Sequence, residues 1–302
     1  MAGRAPGGLA SVVMVAYRTG PALAESLSRA LAEPAAHELV LVDNGSTPEE
    51  AALADRLAAE HPERLKLIRG HGNVGFARGA NLGARAAKGE VLVFLNPDAF
   101  LEPGCIAALT EALDARAPPV LVGARVMDVE GREQRGARRG EFTLSAALLN
   151  MSGLVRLKPF RRFELHHERD PLPEGPVPTP TVSGACFAMT AEGFAVVHGF
   201  DEGFFLHVED VDLCWRVRQM GGEVLFHPGA RVVHLGSTSK KAPVVVEFWK
   251  GLGLARYFRK RADTPQRMAL AWLLGPLIVL VSVARPILRG QMFNRRPAAP
   301  TG

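Results

Sequence analysis

The sequence predicts an α/β layered fold with a mainly parallel central sheet and flanking helices. Short apolar, β-branched runs read as buried strands, helical stretches alternate with them, and polar motifs sit at the strand ends. SVVMVAY (11–17) opens the pattern, and ELVLVD (38–43), LKLI (65–68) and EVLVFLN (90–96) continue it. Between them fall helices over 21–32, 48–59 and 76–87, the second with Thr47 as N-cap and Pro48 at the first helical position. A helix over 103–115 and a strand near 120–126 extend the alternation. From 128 to 180 it breaks into GREQRGARRGEF, a short apolar stretch around 144–157 and the proline-rich DPLPEGPVPTPT, read as an insertion and loop region rather than a second domain. Regular elements resume with TVSGACFAMT, a helix over 208–220 and the strands EVLFH and RVVHL.

With 302 residues, 47% of them hydrophobic, the chain can bury a full core, which excludes a disordered protein. Cys105, Cys186 and Cys214 are odd in number and far apart, which argues against a disulfide framework or thiolate zinc site and for a reducing, cytosolic setting. The opening residues lack the long apolar run and small-residue cleavage site of a secretory signal. A net charge of +5 hides an asymmetry: residues 240–302 carry twelve Lys/Arg against two acids, whereas 1–239 carry 24 against 29. A nucleic-acid binder would carry its positive charge on the folded domain, so no nucleic-acid partner is expected. Here the charge brackets ALAWLLGPLIVLVSVA (269–284), sixteen residues without a charge. That run is shorter than the roughly 20 residues a spanning helix needs, and Gly275-Pro276 interrupts it. It reads as an in-plane or re-entrant membrane helix anchored by Trp272, with packing on the domain or contact between two copies in a homo-oligomer as alternatives. The expected organisation is one domain over 1–239, including the 128–180 insertion, and a basic, apolar tail over 240–302.

Several short motifs carry candidate chemistry. GHGNVG places Gly70, Gly72 and Gly75 in the spacing of a dinucleotide fingerprint, which would make the chain an oxidoreductase. The fingerprint belongs after the first strand, however, and these glycines follow the third. VDNGS puts Asp43 and Asn44 at the carboxyl end of a strand, where open α/β sheets bind ligands, although Asp-Asn-Gly-Ser is also a good turn. In NVGFARGANLGA, Asn73, Gly75, Asn81 and several small residues would let backbone approach a ligand closely. FLNPDA follows a buried run with Asn96 and Asp98, and a carboxylate there suits a hard cation, Mg²⁺ or Mn²⁺, held against a diphosphate. HVEDVDLCWR gathers Glu209, Asp210 and Asp212 at a helix start, where the helix dipole alone would stabilise them.

In order along the chain, VAYR, VDNGS, NVGFARGANLG, NPDAFLEPG, SGACFAM, GFDEGFFLHVEDVDLCWR and VVHLGS resemble the inverting glycosyltransferases of family 2, in their rhamnosyltransferase-like branch. The resemblance implies a GT-A fold, a nucleotide-sugar donor, and a glycan or lipid-linked glycan acceptor at the cytoplasmic face of the cell membrane. Asp43, with Tyr17 nearby, is similar to the acid that bonds the donor's base. Asp98 stands for the last acid of the family's D-x-D metal motif, whose first acid is here Asn96. That replacement keeps a non-catalytic nucleotide- or glycan-binding relative open as an alternative. His234 resembles a histidine of the metal or diphosphate shell, although a lone His closing a strand is commonly structural. Asp210 matches the acid that deprotonates the acceptor hydroxyl, Glu209 a neighbour that positions the acceptor, and Arg216 an arginine that contacts the diphosphate or fixes the acid pair. Asp212, on another helix face, is expected to be structural. GFDEGFF reads as a loop that covers the site and excludes water.

Overall fold

A computed structural model describes residues 9–236 and 242–288. The basic residues Lys240, Lys241, Arg289, Arg295 and Arg296 of the expected tail, and the first eight residues, lie outside the described residues.

β1 (Ala10–Ala16) is apolar at nearly every position and buried at all of them, the mark of a strand covered on both faces. α1 (Ala22–Ala32) leads from it to β2 (Ala36–Asp43), and α2 (Pro48–Glu60) leads on to β3 (Leu65–Ile68). Local chemistry fixes the start of α2. Thr47 Oγ1 accepts from Glu50 N–H, the Glu50 carboxylate accepts from Thr47 N–H at 2.8 Å, and Pro48 occupies the first turn. α3 (Phe76–Ala86) then returns the chain to β4 (Val91–Leu95), and β3, β2, β1 and β4 lie side by side, all parallel.

The second half departs from the expected parallel pattern. β5 (Ala99–Leu101), α4 (Cys105–Asp114) and β6 (Val120–Met127) precede a segment holding β7 (Arg138–Arg139), α5 (Leu144–Ser152), two 3₁₀ turns and β8 (Val177–Pro178). β9 (Thr181–Val182) pairs with β7. β10 (Cys186–Thr190) then enters the sheet between β4 and β6, antiparallel to both. The reason is where the chain arrives: Cys186 pairs with Leu95, so β10 begins at the carboxyl end of β4 instead of returning to its start. After α6 (Ala191–Val196) and α7 (Glu209–Gln219), β11 (Glu223–His234) runs parallel to β6 and antiparallel to β5 and β8. The sheet is therefore mixed, in the order β3-β2-β1-β4-β10-β6-β11-β5.

Strand alternation divides the core between the two faces. Val12, Met14, Leu39, Leu41 and Val93 pack on one side with α1 and α4, and Val13, Val15, Val42, Leu92 and Phe94 on the other with α3 and α7. Cys105, Cys186 and Cys214 are free and buried.

α8 (Pro243–Lys260) and α9 (Pro265–Leu288) form a helical hairpin. Tyr257 and Phe258 of α8 are buried in the same cluster as Phe94, Phe187 and Val211. α9 continues through Gly275-Pro276 without a break, where an interruption was expected, so it spans 24 residues and is long and apolar enough to cross a membrane by length and composition. The hairpin packs closely around this point: a Cβ on Gly275 would lie 3.6 Å from Ala255, and one on Gly251 only 2.9 Å from the Val279 backbone, so the two helices touch through small residues.

Candidate active site

The carboxyl ends of β1, β2 and β4, the start of β10 and the end of β11 meet at one edge of the sheet. Asp43 closes β2, and its Oδ1 accepts from the N–H groups of Gly45 (3.0 Å) and Ser46 (2.8 Å). Burial favours its neutral form, but these backbone donors and Arg69, 3.9 Å away, hold the carboxyl below its ordinary range. The Tyr17 ring lies against Gly45, 3.5 Å from where a Cβ would stand. Tyr17 thus lies against the turn that Asp43 opens.

Three of the four candidate asparagines, Asn44, Asn73 and Asn81, are engaged with backbone. Asn44 Nδ2 donates to the Gly75 carbonyl at 2.9 Å, and its Oδ1 faces His71 Nε2 at 3.0 Å. Asn73 Oδ1 accepts from Gly75 N–H. Asn81 brackets Phe200, donating to its carbonyl and accepting from its N–H, both at 2.9 Å. Gly75 is required here. Its φ is +86°, and a Cβ would sit 2.7 Å from the Phe205 carbonyl, which accepts from Phe76 N–H. The 70–76 loop and the GFDEGFF loop are therefore joined, and the latter is pinned from the other side. Phe205 stacks on Trp249 at 4.3 Å, Phe204 is buried, and Asp201 is clamped by Arg256 (2.8 Å) and Lys260 (2.7 Å).

Beyond β4, Asn96 and Asp98 meet His234 from the end of β11. His234 Nε2 lies 3.1 Å from Asp98 Oδ1 and 3.4 Å from Asn96 Nδ2. Gln134 fixes the imidazole: its amide nitrogen donates to the His234 carbonyl, which turns Oε1 toward Nδ1 at 3.0 Å. Nδ1 must then carry the proton. Nε2 then faces Asp98 Oδ1 and Asn96 Nδ2 together. A histidine oriented in this way by an outer amide, beside a buried carboxylate, is a donor set that fits a divalent cation completed by phosphate oxygens. Among the described residues no group of three His, Cys, Asp or Glu gathers as a metal cluster.

The acid pair opens α7 on strained backbone. His207 and Val208 both adopt positive φ (67° and 74°), a conformation a β-branched residue rarely takes. α8 buttresses the strain, because a Cβ on Gly253 would lie 3.0 Å from the His207 carbonyl. Asp210 Oδ2 receives Arg139 Nη2 at 2.6 Å and Gly184 N–H at 3.2 Å, and Oδ1 receives Val211 N–H at 2.8 Å. Burial opposes charge on Asp210, but Arg139 and the two backbone donors outweigh it and hold the carboxyl below its ordinary range. Glu209 is the reverse: burial, then the Asp210 charge, push its carboxyl up to about 8, and its Oε2 is buried without a partner. At neutral pH the pair therefore carries one charge, on Asp210. Asp212 is fully buried between Arg216 (2.7 Å) and Lys260 (2.5 Å). Arg216 also donates to the Val197 carbonyl, so its guanidinium braces α7.

A family model for glycosyl transferase family 2 matches residues 11–192. The chain belongs to this family. Among relatives of this glycosyltransferase, an N-acetylglucosaminyl-diphospho-decaprenol L-rhamnosyltransferase of Mycobacterium tuberculosis (strain H37Rv) is 27% identical over 235 residues, 74% of this chain and 75% of that protein. The O-antigen biosynthesis protein RfbC of Myxococcus xanthus is 29% identical over 262 residues, 81% of this chain but 19% of that protein. In structure, the chain is similar to a mannosyltransferase of Pyrobaculum calidifontis solved with GDP-Man and Mn²⁺ (TM-score 0.58, 19% identity, 98% of this chain and 79% of that one). It is likewise similar to GalNAc-T7 solved with UDP, GalNAc and Mn²⁺ (TM-score 0.58, 18% identity, 96% and 59%). The fold is GT-A.

Sequence reasoning did not find two residues of the glycosyltransferase's site, Arg139 and Gln134, because both lie in the segment read as an insertion. The one available signal was an arginine pair in the otherwise irregular GARRGEF. The Gly70-Gly72-Gly75 spacing, by contrast, has no dinucleotide role in this fold: it follows β3, and Gly75 serves the contact with Phe205.

The Glu209 environment makes a thermodynamic prediction. Its folded pKa lies above the ordinary 4.5, so between about 4.5 and about 8 the unfolded chain ionises this group while the folded chain does not. Stability falls as pH rises through that window. Glu209→Gln removes the effect, so its melting temperature should match wild type near pH 4.5 and exceed it increasingly toward pH 8. Parallel curves for the two proteins would show that Glu209 is ionised in the fold.

Proposed function

We propose that this glycosyltransferase moves a sugar, with inversion, from a nucleoside diphosphate donor to a hydroxyl of a lipid-linked or polysaccharide acceptor in cell-envelope glycan synthesis, at the cytoplasmic face of the membrane. The observation that carries the reading is the Glu209–Asp210 pair, with Asp210 ionised by Arg139 beside the edge that holds Asp98 and His234. In this mechanism Asp43 and Tyr17 hold the donor's base, and the backbone around Asn44 and Asn73 lines its path. Mg²⁺ or Mn²⁺, held by Asp98 and His234 with Asn96 alongside, would neutralise charge on the departing diphosphate as a Lewis acid. Arg139 and Gly184 N–H engage Asp210 Oδ2, which leaves a lone pair of Oδ1 to take the proton from the acceptor hydroxyl as the new bond forms. Protonated Glu209 beside it can donate to an acceptor oxygen. Arg216, tied to Asp212, fixes the acid helix and does not reach for the diphosphate. The pinned GFDEGFF loop covers this face and keeps water from competing as acceptor.

Rhamnose from dTDP-rhamnose is the donor we propose, on the strength of the Mycobacterium relative's name and its coverage of both chains. Incubation with a panel of nucleotide sugars and Mg²⁺ or Mn²⁺, followed by diphosphate release, tests the reading. dTDP-rhamnose should turn over fastest, and chelation of the metal should suppress release. Release from another donor alone would replace the sugar, and release from none, with tight nucleotide binding, would favour the non-catalytic alternative.

A further inference from the structure

The 128–180 segment bears a surface that the transfer reaction does not use. Between Glu141 and Glu164 the sequence has no acid and four cations, Arg156, Lys158, Arg161 and Arg162. All four are exposed, and Leu154 and Leu157 are exposed among them, Leu157 to 54%. The arrangement has a physical cause. α5 buries Ala146 and Ala147, Gly153 ends it in a left-handed turn, and Val155 is tucked inward, so the 3₁₀ turns that follow are anchored on one side and turn leucines and cations outward. Exposed leucines alone would favour aggregation, and exposed cations alone would be an ordinary solvated surface. Interleaved, they fit an interface that is apolar within and anionic at its rim.

We infer that this segment, 154–162, is a second membrane-contacting surface that seats on anionic lipid headgroups beside the α8–α9 hairpin. Continuity with the hairpin supports a bilayer as the occupant. Glu141, at the head of the segment, pairs with Arg261 at the end of α8 and with Arg218 of α7 at 2.6 Å. Phe142 stacks on Phe258 with centroids 6.0 Å apart. Beyond that joint, α9 presents Leu270, Leu273, Leu277 and Leu280 to solvent, Leu273 to 74%. α9 is held side-on along α8, which is itself packed on the catalytic domain, so it would lie in the membrane plane. The Glu141–Phe142 joint ties the insertion to the hairpin, and the two apolar surfaces, with the cations on the insertion, would together form one lipid-facing side. Arg139, which holds the catalytic carboxylate, precedes Glu141 by two residues, so the same side delivers a membrane-borne acceptor to Asp210. The lipid contact itself does not depend on which sugar or acceptor the enzyme uses.

Sedimentation of the full chain with vesicles of phosphatidylcholine alone, or mixed with phosphatidylglycerol, tests the inference. Wild type should prefer the anionic vesicles. The quadruple variant R156Q/K158Q/R161Q/R162Q should lose that preference by at least on the order of tenfold, since each cation near an anionic surface contributes about fivefold. Its diphosphate release in detergent should remain at the wild-type rate, which shows that the fold and site persist. Leu157→Cys, labelled with a polarity-sensitive fluorophore while the three native cysteines stay buried, should shift its emission to the blue on anionic vesicles. A quadruple variant that keeps its lipid preference, or a Leu157 probe that does not shift, would overturn the proposal. So would loss of binding to a soluble short-chain lipid diphosphate in the quadruple variant without vesicles, which would make the patch a subsite for the acceptor's own phosphates.

Discussion

Asp210→Asn is expected to lower the transfer rate by roughly 10² to 10⁴-fold, the usual contribution of a positioned general base. Asn keeps the shape of the side chain, and its single oxygen, set at the Oδ2 position, can still accept from Arg139 and Gly184 while the bond from Val211 N–H is given up, so the fold and the strand ends around Asp43 and Tyr17 should persist. Binding of the nucleotide sugar, measured by calorimetry, should stay within about twofold of wild type, because the role proposed for Asp210 is on the acceptor's proton and not on the donor. The loss should fall mainly on kcat. A variant that turns over at a normal rate would move the base elsewhere, with Glu209 first in line, although Glu209 is ionised only above about 8. That rival predicts a distinct signature, a wild-type rate that keeps rising past neutral pH. The assignment to Asp210 predicts a plateau there.

How much of this could be read from the sequence depends on the range of each cause. The first half of the fold was legible because its signals are local: Thr47 and Pro48 start α2, and unbroken apolar runs make β1 and β4. The strand-end motifs were legible as well, since a sheet edge is where polar residues after buried strands must gather. The reversal of β10 was not legible, because strand direction depends on where the long 128–180 segment delivers the chain. α9's passage through Pro276 was not legible either, and its close packing on small residues of α8 is a contact between separate elements. The acid pair shows the limit most clearly. Glu209, Asp210 and Asp212 are near neighbours in sequence, yet their separate environments come from Arg139, 71 residues before Asp210, and from Lys260 on α8. Nothing in HVEDVDLCWR announces either partner.

Arg139→Ala is expected to cut activity at neutral pH by on the order of 10 to 10²-fold and to move the acid limb of the pH–rate profile upward. Arg139 Nη2 sits 2.6 Å from Asp210 Oδ2, with both side chains only 17–18% exposed. Removing the cation leaves burial as the dominant influence on Asp210, and burial raises a carboxyl's pKa. Arg139 also lowers the Glu209 pKa, so its loss leaves the whole acid pair more protonated. Fewer molecules then hold an ionised base at neutral pH, and raising the pH should restore part of the rate. Breaking a fully buried pair costs roughly 3–5 kcal/mol of stability, and the residual exposure here reduces that figure. The sign of its pH dependence follows from Asp210. The depressed folded pKa stabilises the protein above the unfolded value near 3.8 and ceases to do so as pH falls through the folded value, so the variant's deficit should shrink on acidification. Arg139→Lys separates charge from geometry. It restores the cation on a shorter side chain, whose ammonium falls short of the Nη2 position that reaches both Asp210 and the Val182 carbonyl, so its acid limb should lie near wild type while its rate recovers only in part. A merely structural arginine would lower the amount of folded enzyme without moving the pH profile. An unshifted acid limb in Arg139→Ala would therefore remove Arg139 as the group that keeps the base charged.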